Sequence, residues 1–179
     1  MEWKQFWKTI ESSYRPDGPD HFESLKDELD KLKWFEVVEF QVRFDEAMAA
    51  ANLIDLWGAA YLINGGCSDD GFRDFRAWLI GRGRHPYEAA LKHPDSLADI
   101  LDGDPVDGFG LETAALRVYE GKTGMSDFFE RLDREEKDLP PPPPEGIDWD
   151  FEDEEEMRKH FPNLCHLYFV PVEEEEAER

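Results

Sequence analysis

The feature that most constrains the fold is the apolar segment Leu53–Ile63, which contains one charged residue, Asp55. Its sequence, LIDLWGAAYLI, is apolar on nearly every side of a helix, a pattern typical of helices that neighbours bury on most of their surface. Asp55 is the predicted N-cap. Gly65 and Gly66 follow and end the helix, because glycine adopts the positive φ of a C-terminal cap at little cost. We therefore expect this segment to be the central helix of a bundle.

Apolar residues on both sides of this segment repeat at helical spacing. The pattern predicts helices over about 3–14, 20–32, 37–51, 68–82 and 111–122, and shorter ones near 86–91, 95–101, 126–136 and 152–161. Ser68 is the predicted N-cap of the helix that follows the glycine pair, with Asp69 and Asp70 in its first turn. Together these patterns predict an all-α fold.

The domain organisation follows from a run of five prolines, residues 140–144. Residues 1–136 are predicted to form one helical core domain, and residues 137–146 a stiff proline-rich linker, because proline fixes φ and lacks a backbone donor. Residues 147–179 form an acidic C-terminal extension. Its apolar residues, such as Trp149 and Leu164, favour packing back on the core. The predicted fold is a single-domain helical bundle with a proline-linked acidic extension.

The charge of the chain restricts its partners. Lysine and arginine total 20 and aspartate and glutamate total 43, so the net charge is −23. Such a charge repels nucleic acid backbones and anionic membranes, and it favours a basic protein partner or the imitation of nucleic acid. No apolar run approaches the roughly 20 residues of a membrane helix. The N-terminal sequence lacks a secretory signal, and two cysteines make no disulfide framework, so a cytoplasmic location is expected.

Candidate functional residues cluster at the turn between residues 57 and 76. Three chemical interpretations are open there. Cys67 lies just before a helix, where the helix dipole lowers the pKa of a thiol, and His85 is the nearest histidine that could act as its base. Asp69 and Asp70 could hold a cation, although successive helical residues point about 100° apart. The candidate corner comprises Trp57, Asn64, Cys67, Asp69, Asp70, Arg73 and Arg76.

The third interpretation concerns Arg73, Arg76, Arg82 and Arg84, which concentrate positive charge in an acidic chain. They could bind an anionic ligand or the acidic residues of the C-terminal extension, 148–156. Of these two, the intramolecular pairing is the prediction, because the linker tethers those carboxylates to the core.

The stretch from Asp55 to Asp70, DLWGAAYLINGGCSDD, together with Phe72, Arg76 and Trp78, resembles the signature of a bacterial family catalogued as domain of unknown function 4240. Further matching segments are FW at 6–7, FD at 44–45 and HPDSLA at 93–98. The resemblance implies a helical, intracellular bacterial protein. It carries over no catalytic residue, because the family has no assigned activity.

The motifs of nucleotide binding, zinc proteases, serine hydrolases and CxxC redox sites are absent from the sequence. The leading expectation is therefore a non-enzymatic interaction or regulatory protein that binds a basic partner, without cofactor or metal. Immunity proteins that neutralise toxins are a concrete form of this hypothesis. The alternative is an enzyme or a binder of small anionic ligands, with its site at the Asn64–Arg76 corner. Oligomeric state is left open.

Overall fold

The computed structural model describes residues 1–14, 21–101, 106, 108, 110–132 and 142–169. Within these ranges the regular elements are helices, and the β-type pairing is an isolated parallel bridge between Leu53 and Glu145. The prediction of an all-α, single-domain bundle is therefore confirmed. The end of the core near residue 136 and the first half of the predicted linker lie outside the described residues. The domain boundaries stay predictions.

Ten α-helices follow one another along the described chain. Their bounds are α1 Trp3–Ser13, α2 His21–Asp30, α3 Trp34–Ala50, α4 Ile54–Asn64, α5 Asp69–Gly81, α6 Arg84–Lys92, α7 Ala114–Thr123, α8 Phe128–Arg131, α9 Glu154–His160 and α10 Pro162–Tyr168. Two short 3₁₀ helices, Pro94–Asp99 and Leu111–Thr113, precede α7. No helix in the described ranges is both long enough and apolar enough to cross a membrane.

The helices of the core enclose one hydrophobic cluster. Helix α2 packs against α1 and α7, and α3 packs against α7 and α5. Large aromatic side chains such as Phe6, Phe40, Phe44 and Phe75 are fully buried where these helices meet. Burying a side chain of this size stabilises the fold by about 1.5–3 kcal/mol. This packing fixes the relative positions of α3, α5 and α7, which form the candidate site.

Helix α4 is buried along most of its length, as its apolar sequence predicts. Leu56, Ala59 and Ala60 have no exposed surface. Helices α9 and α10 of the C-terminal extension cover one side of α4. Trp149 and Phe161 lie so close to Gly58 that a Cβ atom there would come within 2.6 Å of the Trp149 ring. The extension is thus part of the packing around the central helix.

The start of α4 differs from the prediction that Asp55 is its N-cap. Leu53 occupies the N-cap position, and the Ile54 N–H donates to the Glu145 carbonyl at 2.8 Å. The carboxylate of Asp55 instead accepts a hydrogen bond from Trp149 Nε1 at 3.1 Å. The reason is that Glu145, near the end of the predicted linker, supplies a main-chain partner for the first helical N–H, so the helix does not need a side-chain cap.

The turn between α4 and α5 follows the prediction closely. Gly65 has φ of +65°, and the Gly66 N–H donates to the Tyr61 carbonyl at 2.8 Å, which closes the helix. The Ser68 hydroxyl then accepts a hydrogen bond from the Gly71 N–H at 3.2 Å. The predicted cap of α5 is confirmed. This turn aims the first residues of α5 toward α3.

Candidate functional site

A cavity of about 780 Å³ lies between α3, α5 and the segment from Glu112 to Phe129. We call it the acidic cavity. Its polar lining residues are Gln41, Asp45, Asn52, Asp69, Asp70, Arg73, Arg76, Glu112 and Thr113, and its apolar ones are Phe44, Met48, Ala49, Leu116, Phe128, Phe129 and Pro142.

The two arginines of the acidic cavity are already engaged within the chain. Arg73 Nε pairs with Glu112 Oε2 at 2.6 Å. Arg76 Nη1 donates to the Met48 carbonyl at 3.0 Å, and its guanidinium lies 4.7 Å from the centre of the Phe72 ring. Burial, followed by the charge of Arg73, lowers the pKa of Arg76. These contacts hold both guanidinium groups in place against the walls of the cavity.

Carboxylates outnumber guanidinium groups around this space. Four acids line it, Asp45, Asp69, Asp70 and Glu112, against two arginines. Asp69 and Asp70 are exposed in the first turn of α5. Across the described ranges, no three His, Cys, Asp or Glu residues come close enough together to hold a metal ion. The cavity therefore has a negative character that is spread around its walls.

A connected series of aromatic rings runs beside the acidic cavity. We call it the aromatic ridge, and it comprises Phe35, Trp34, Tyr119, Phe128 and Phe129. Successive ring centres are 5.8, 6.2, 5.2 and 5.8 Å apart. Trp34 and Phe35 are each 43% exposed, and Phe129 is 44% exposed. Phe128 and Phe129 also line the cavity, so the ridge and the cavity share these two residues, while the buried Tyr119 and Phe128 link them to Trp34 and Phe35.

An ion pair holds the middle of the aromatic ridge in place. The Tyr119 hydroxyl donates to Asp127 Oδ1 at 2.6 Å, and Arg131 Nη2 pairs with Asp127 Oδ2 at 2.8 Å. The hydrogen bond from Tyr119 is the main cause that lowers the pKa of Asp127. The Arg131 guanidinium lies 5.5 Å from the centre of the Trp34 ring. These contacts tie α3, α7 and α8 together at the ridge.

The aromatic ridge has no counterpart among the residues predicted from the sequence. Its signal is the pair Trp34-Phe35, which lies out of phase with the buried stripe of Val37, Phe40 and Phe44 on the same helix. Two large apolar residues outside the inward stripe of a helix indicate a surface that is not purely solvent-facing. For the cavity, only the α5 part from Asp69 to Arg76 had a local signal, because residues far apart in sequence build the rest.

The other half of the predicted corner lies outside the cavity lining and has packing contacts of its own. Trp57 stacks on Phe72 with ring centres 5.1 Å apart, and its Nε1 donates to the Cys67 carbonyl at 3.0 Å. Asn64 accepts from the Val106 N–H at 2.9 Å and donates to the Val106 carbonyl at 3.1 Å. The structure thus brings Asp69, Asp70, Arg73 and Arg76 to the cavity, whereas Trp57, Asn64 and Cys67 fasten the turn. The residues of the predicted corner are therefore divided between the cavity and the turn, and they do not converge on one pocket.

The prediction that the helix dipole lowers the pKa of Cys67 is also corrected. Burial raises the pKa of this thiol from 9.0 to about 11, and a hydrogen bond with Trp57 opposes the rise only in part. His85 lies beyond the opposite end of α5, which is about 20 Å long at 1.5 Å per residue, so it is not the base of Cys67. Desolvation therefore outweighs the position of Cys67 before a helix.

We expect Cys67 to react slowly with thiol reagents at neutral pH. A pKa of about 11 lowers the thiolate fraction about 100-fold relative to a pKa of 9.0. The labelling rate with a disulfide reagent should then rise about tenfold per pH unit between pH 7 and pH 10. The variant Cys67→Ser reports the labelling of Cys165 alone, which is subtracted from the total. A rate that levels off near pH 8 would contradict the burial.

The predicted pairing of the arginines with the acidic extension is wrong for the described residues. The Arg82 guanidinium donates to the Tyr14 hydroxyl, and Arg84 pairs with Glu88 at 2.7 Å. The extension docks through aromatic contacts instead. Phe151 packs against Tyr61 and Trp57 of α4, with ring centres 5.7 and 6.3 Å apart. Each arginine finds a nearer partner on the core, which explains the difference.

Comparison with known proteins places the chain in a family. A family model described as "Protein of unknown function (DUF4240)" matches residues 1–121, which include α1 to α6 and most of α7. The chain belongs to the DUF4240 family. Neither the curated proteins nor the solved structures contain a match. In this DUF4240 protein, the docked segment 142–169 lies beyond the matched residues, whereas most of the acidic cavity lies within them.

Proposed function

We propose that this DUF4240 protein is a non-enzymatic interaction protein that binds a basic protein partner through the aromatic ridge and the mouth of the acidic cavity. The observation that carries the proposal is the exposure of Trp34, Phe35 and Phe129 beside a cavity with four carboxylates. Exposed aromatic residues mark protein interfaces, where tryptophan and other large side chains act as anchors. The surrounding charge selects a partner of opposite sign.

The bases of the described residues are largely engaged with carboxylates of the chain itself. Ten lysine and arginine side chains of the described residues already form ion pairs with carboxylates of the chain. These pairs are Lys26–Glu23, Lys31–Glu28, Arg43–Glu46, Arg73–Glu112, Arg84–Glu88, Arg117–Glu120, Lys122–Asp30, Arg131–Asp127, Arg158–Glu154 and Lys159–Glu156. With a net charge of −23, the chain has far more acids than bases to pair them. A basic partner supplies the missing counter-charge.

The geometry favours this proposal over the binding of a small anion. Arg73 and Arg76, the two cationic groups of the cavity, are held by Glu112 and by main-chain carbonyls. An anion entering the cavity meets carboxylates in excess, which repel it. A basic toxin held by an immunity protein is one concrete form of the proposed complex.

We place the complex in the bacterial cytoplasm as part of the same proposal. Cys67 and Cys165 are both free thiols in the structure, which suits a reducing compartment. The proline-rich segment acts in this proposal as a linker between the core and the extension. Its residue Pro142 reaches the cavity rim, where its carbonyl accepts a hydrogen bond from Asn52 Nδ2 at 3.0 Å.

A fluorescent, amphipathic peptide of lysine and leucine tests the proposal, with a glutamate and leucine peptide as its counterpart. We expect the lysine peptide to bind and its affinity to fall as salt rises, because screening weakens exposed charge pairs. The double variant Phe35→Ser/Phe129→Ser should weaken binding about tenfold or more, which corresponds to about 1.4 kcal/mol or more. Fluorescence anisotropy measures each dissociation constant.

The matched control is Ile147→Ser/Leu167→Ser, which removes two exposed apolar side chains far from the ridge in sequence and outside the cavity lining. It should bind like the unaltered chain, and thermal unfolding should show both variants folded. Equal weakening in the two variants would contradict the ridge as the interface. Affinity that does not change with salt, or binding of the glutamate peptide, would contradict a basic partner.

A further inference from the structure

We propose that the acidic cavity receives the guanidinium group of an arginine side chain presented by the partner. This inference rests on the proposed function and adds a site and a ligand chemistry to it. The cavity volume of about 780 Å³ is within the range of roughly 300–1,000 Å³ found for ligand pockets. It accommodates a long side chain together with the main chain that carries it.

The walls of the cavity match a flat, delocalised cation. Phe129, which is 44% exposed, provides an accessible aromatic ring backed by the buried Phe44 and Phe128, and carboxylates line the same space. A guanidinium group stacks on aromatic rings, is weakly hydrated and forms two parallel hydrogen bonds with a carboxylate. A lysine ammonium is a compact, strongly hydrated charge and uses such walls less well. The mixed lining therefore favours arginine over lysine.

Five arginines of the described residues already make this type of contact within the fold, and three of them illustrate it. The guanidinium of Arg82 lies 4.4 Å from the Tyr14 ring centre, that of Arg76 lies 4.7 Å from Phe72, and that of Arg131 lies 5.5 Å from Trp34. Two of these three, at Arg76 and Arg131, belong to the cavity wall and the aromatic ridge. Guanidinium groups thus pack against rings at several places in this fold, including two places next to the cavity and the ridge.

The placement of the carboxylates distinguishes this ligand from a metal ion. A calcium or magnesium ion requires several oxygen atoms within about 2.6 Å of one point. In the described ranges, the acids of the cavity form no such group. Glu112 is held by Arg73 on one side, whereas Asp69 and Asp70 are exposed at the start of α5. Carboxylates dispersed in this way suit a broad cation with several N–H donors.

The test compares two probe peptides of equal charge. One is the lysine and leucine peptide, and in the other a single central lysine is replaced by arginine. We expect the arginine peptide to bind about tenfold more tightly to the unaltered chain. The variant Asp69→Asn/Asp70→Asn should reduce this ratio to about one, because the carboxylates that hold the guanidinium are gone. The two peptides carry the same charge, so a change in the net charge of the chain affects both dissociation constants equally and cancels in their ratio.

The charge-matched control is Asp148→Asn/Glu155→Gln, which removes two exposed carboxylates outside the cavity. It should keep the tenfold preference for arginine, and thermal unfolding should show both double variants folded. A preference that persists in Asp69→Asn/Asp70→Asn would overturn the cavity as the site, and equal or tighter binding of the lysine peptide would overturn the guanidinium. Either result leaves the proposed function standing if lysine-peptide binding still depends on salt and on the ridge. Failure of both peptides to bind overturns the proposed function and this inference together.

Discussion

Replacing Phe72 with alanine should lower the free energy of unfolding by about 3–5 kcal/mol and abolish the preference for arginine peptides. Phe72 is 2% exposed on α5. Trp57 stacks on its ring, and the Arg76 guanidinium lies over it. The substitution leaves a void between α4 and α5 and removes the surface on which Arg76 rests. Urea unfolding followed by tryptophan fluorescence measures the loss.

The variant Phe72→Leu is the control for this prediction, because it keeps most of the buried volume. Its cost should stay below about 1.5 kcal/mol. Ordinary surface substitutions change the free energy of unfolding by less than about 1 kcal/mol. If Phe72→Ala lowers this free energy by no more than that, α5 is not held as described. The position of Asp69 and Asp70 at the cavity would then lose its structural basis.

Replacing Phe161 with alanine should detach the C-terminal extension from α4, with a local loss of about 3–5 kcal/mol. Phe161 is 1% exposed, and its ring centre lies 5.8 Å from that of Trp149. Both rings cover Gly58, so removing one opens the contact. We expect a protease to cut the extension rapidly while a core fragment resists digestion. Tryptophan emission should shift to longer wavelength as Trp149 meets water.

Leu167→Ala serves as the control here, because Leu167 is 38% exposed on α10 of the same extension. Its digestion pattern should match that of the unaltered chain. Equal protection of the extension in Phe161→Ala would contradict the docking contact. If the protease digested the core as rapidly as the extension, the core would depend on the extension for its stability.

The sequence predicts the parts of this fold that depend on local pattern. The apolar circumference of Leu53–Ile63 predicts a buried helix, and the structure buries Leu56 and Ala59 completely. The cap of Ser68 also follows from local chemistry, since its hydroxyl and the Gly71 N–H are three residues apart. Such features require only neighbours in sequence and the preference of a helix for particular end residues.

The candidate site could be predicted only in part, because distant segments determine it. Asp69 to Arg76 were identified from the sequence, whereas Asp45 and Glu112 reach the same cavity only through the packing of α3 and α7. Cys67 shows the same limit. Its position before α5 predicts a lowered pKa, but burial by surrounding structure raises it. Tertiary packing outweighed the local rule.

Nuclear magnetic resonance mapping of the arginine probe peptide on the isotope-labelled full chain tests the central claim most directly. We predict that amide signals shift along the cavity-facing side of α3, at the start of α5 around Asp69, and from Glu112 to Phe129. These residues form the acidic cavity and the adjoining ridge. Shifts confined to the acidic residues 148–156, or spread evenly over the surface, would contradict the account.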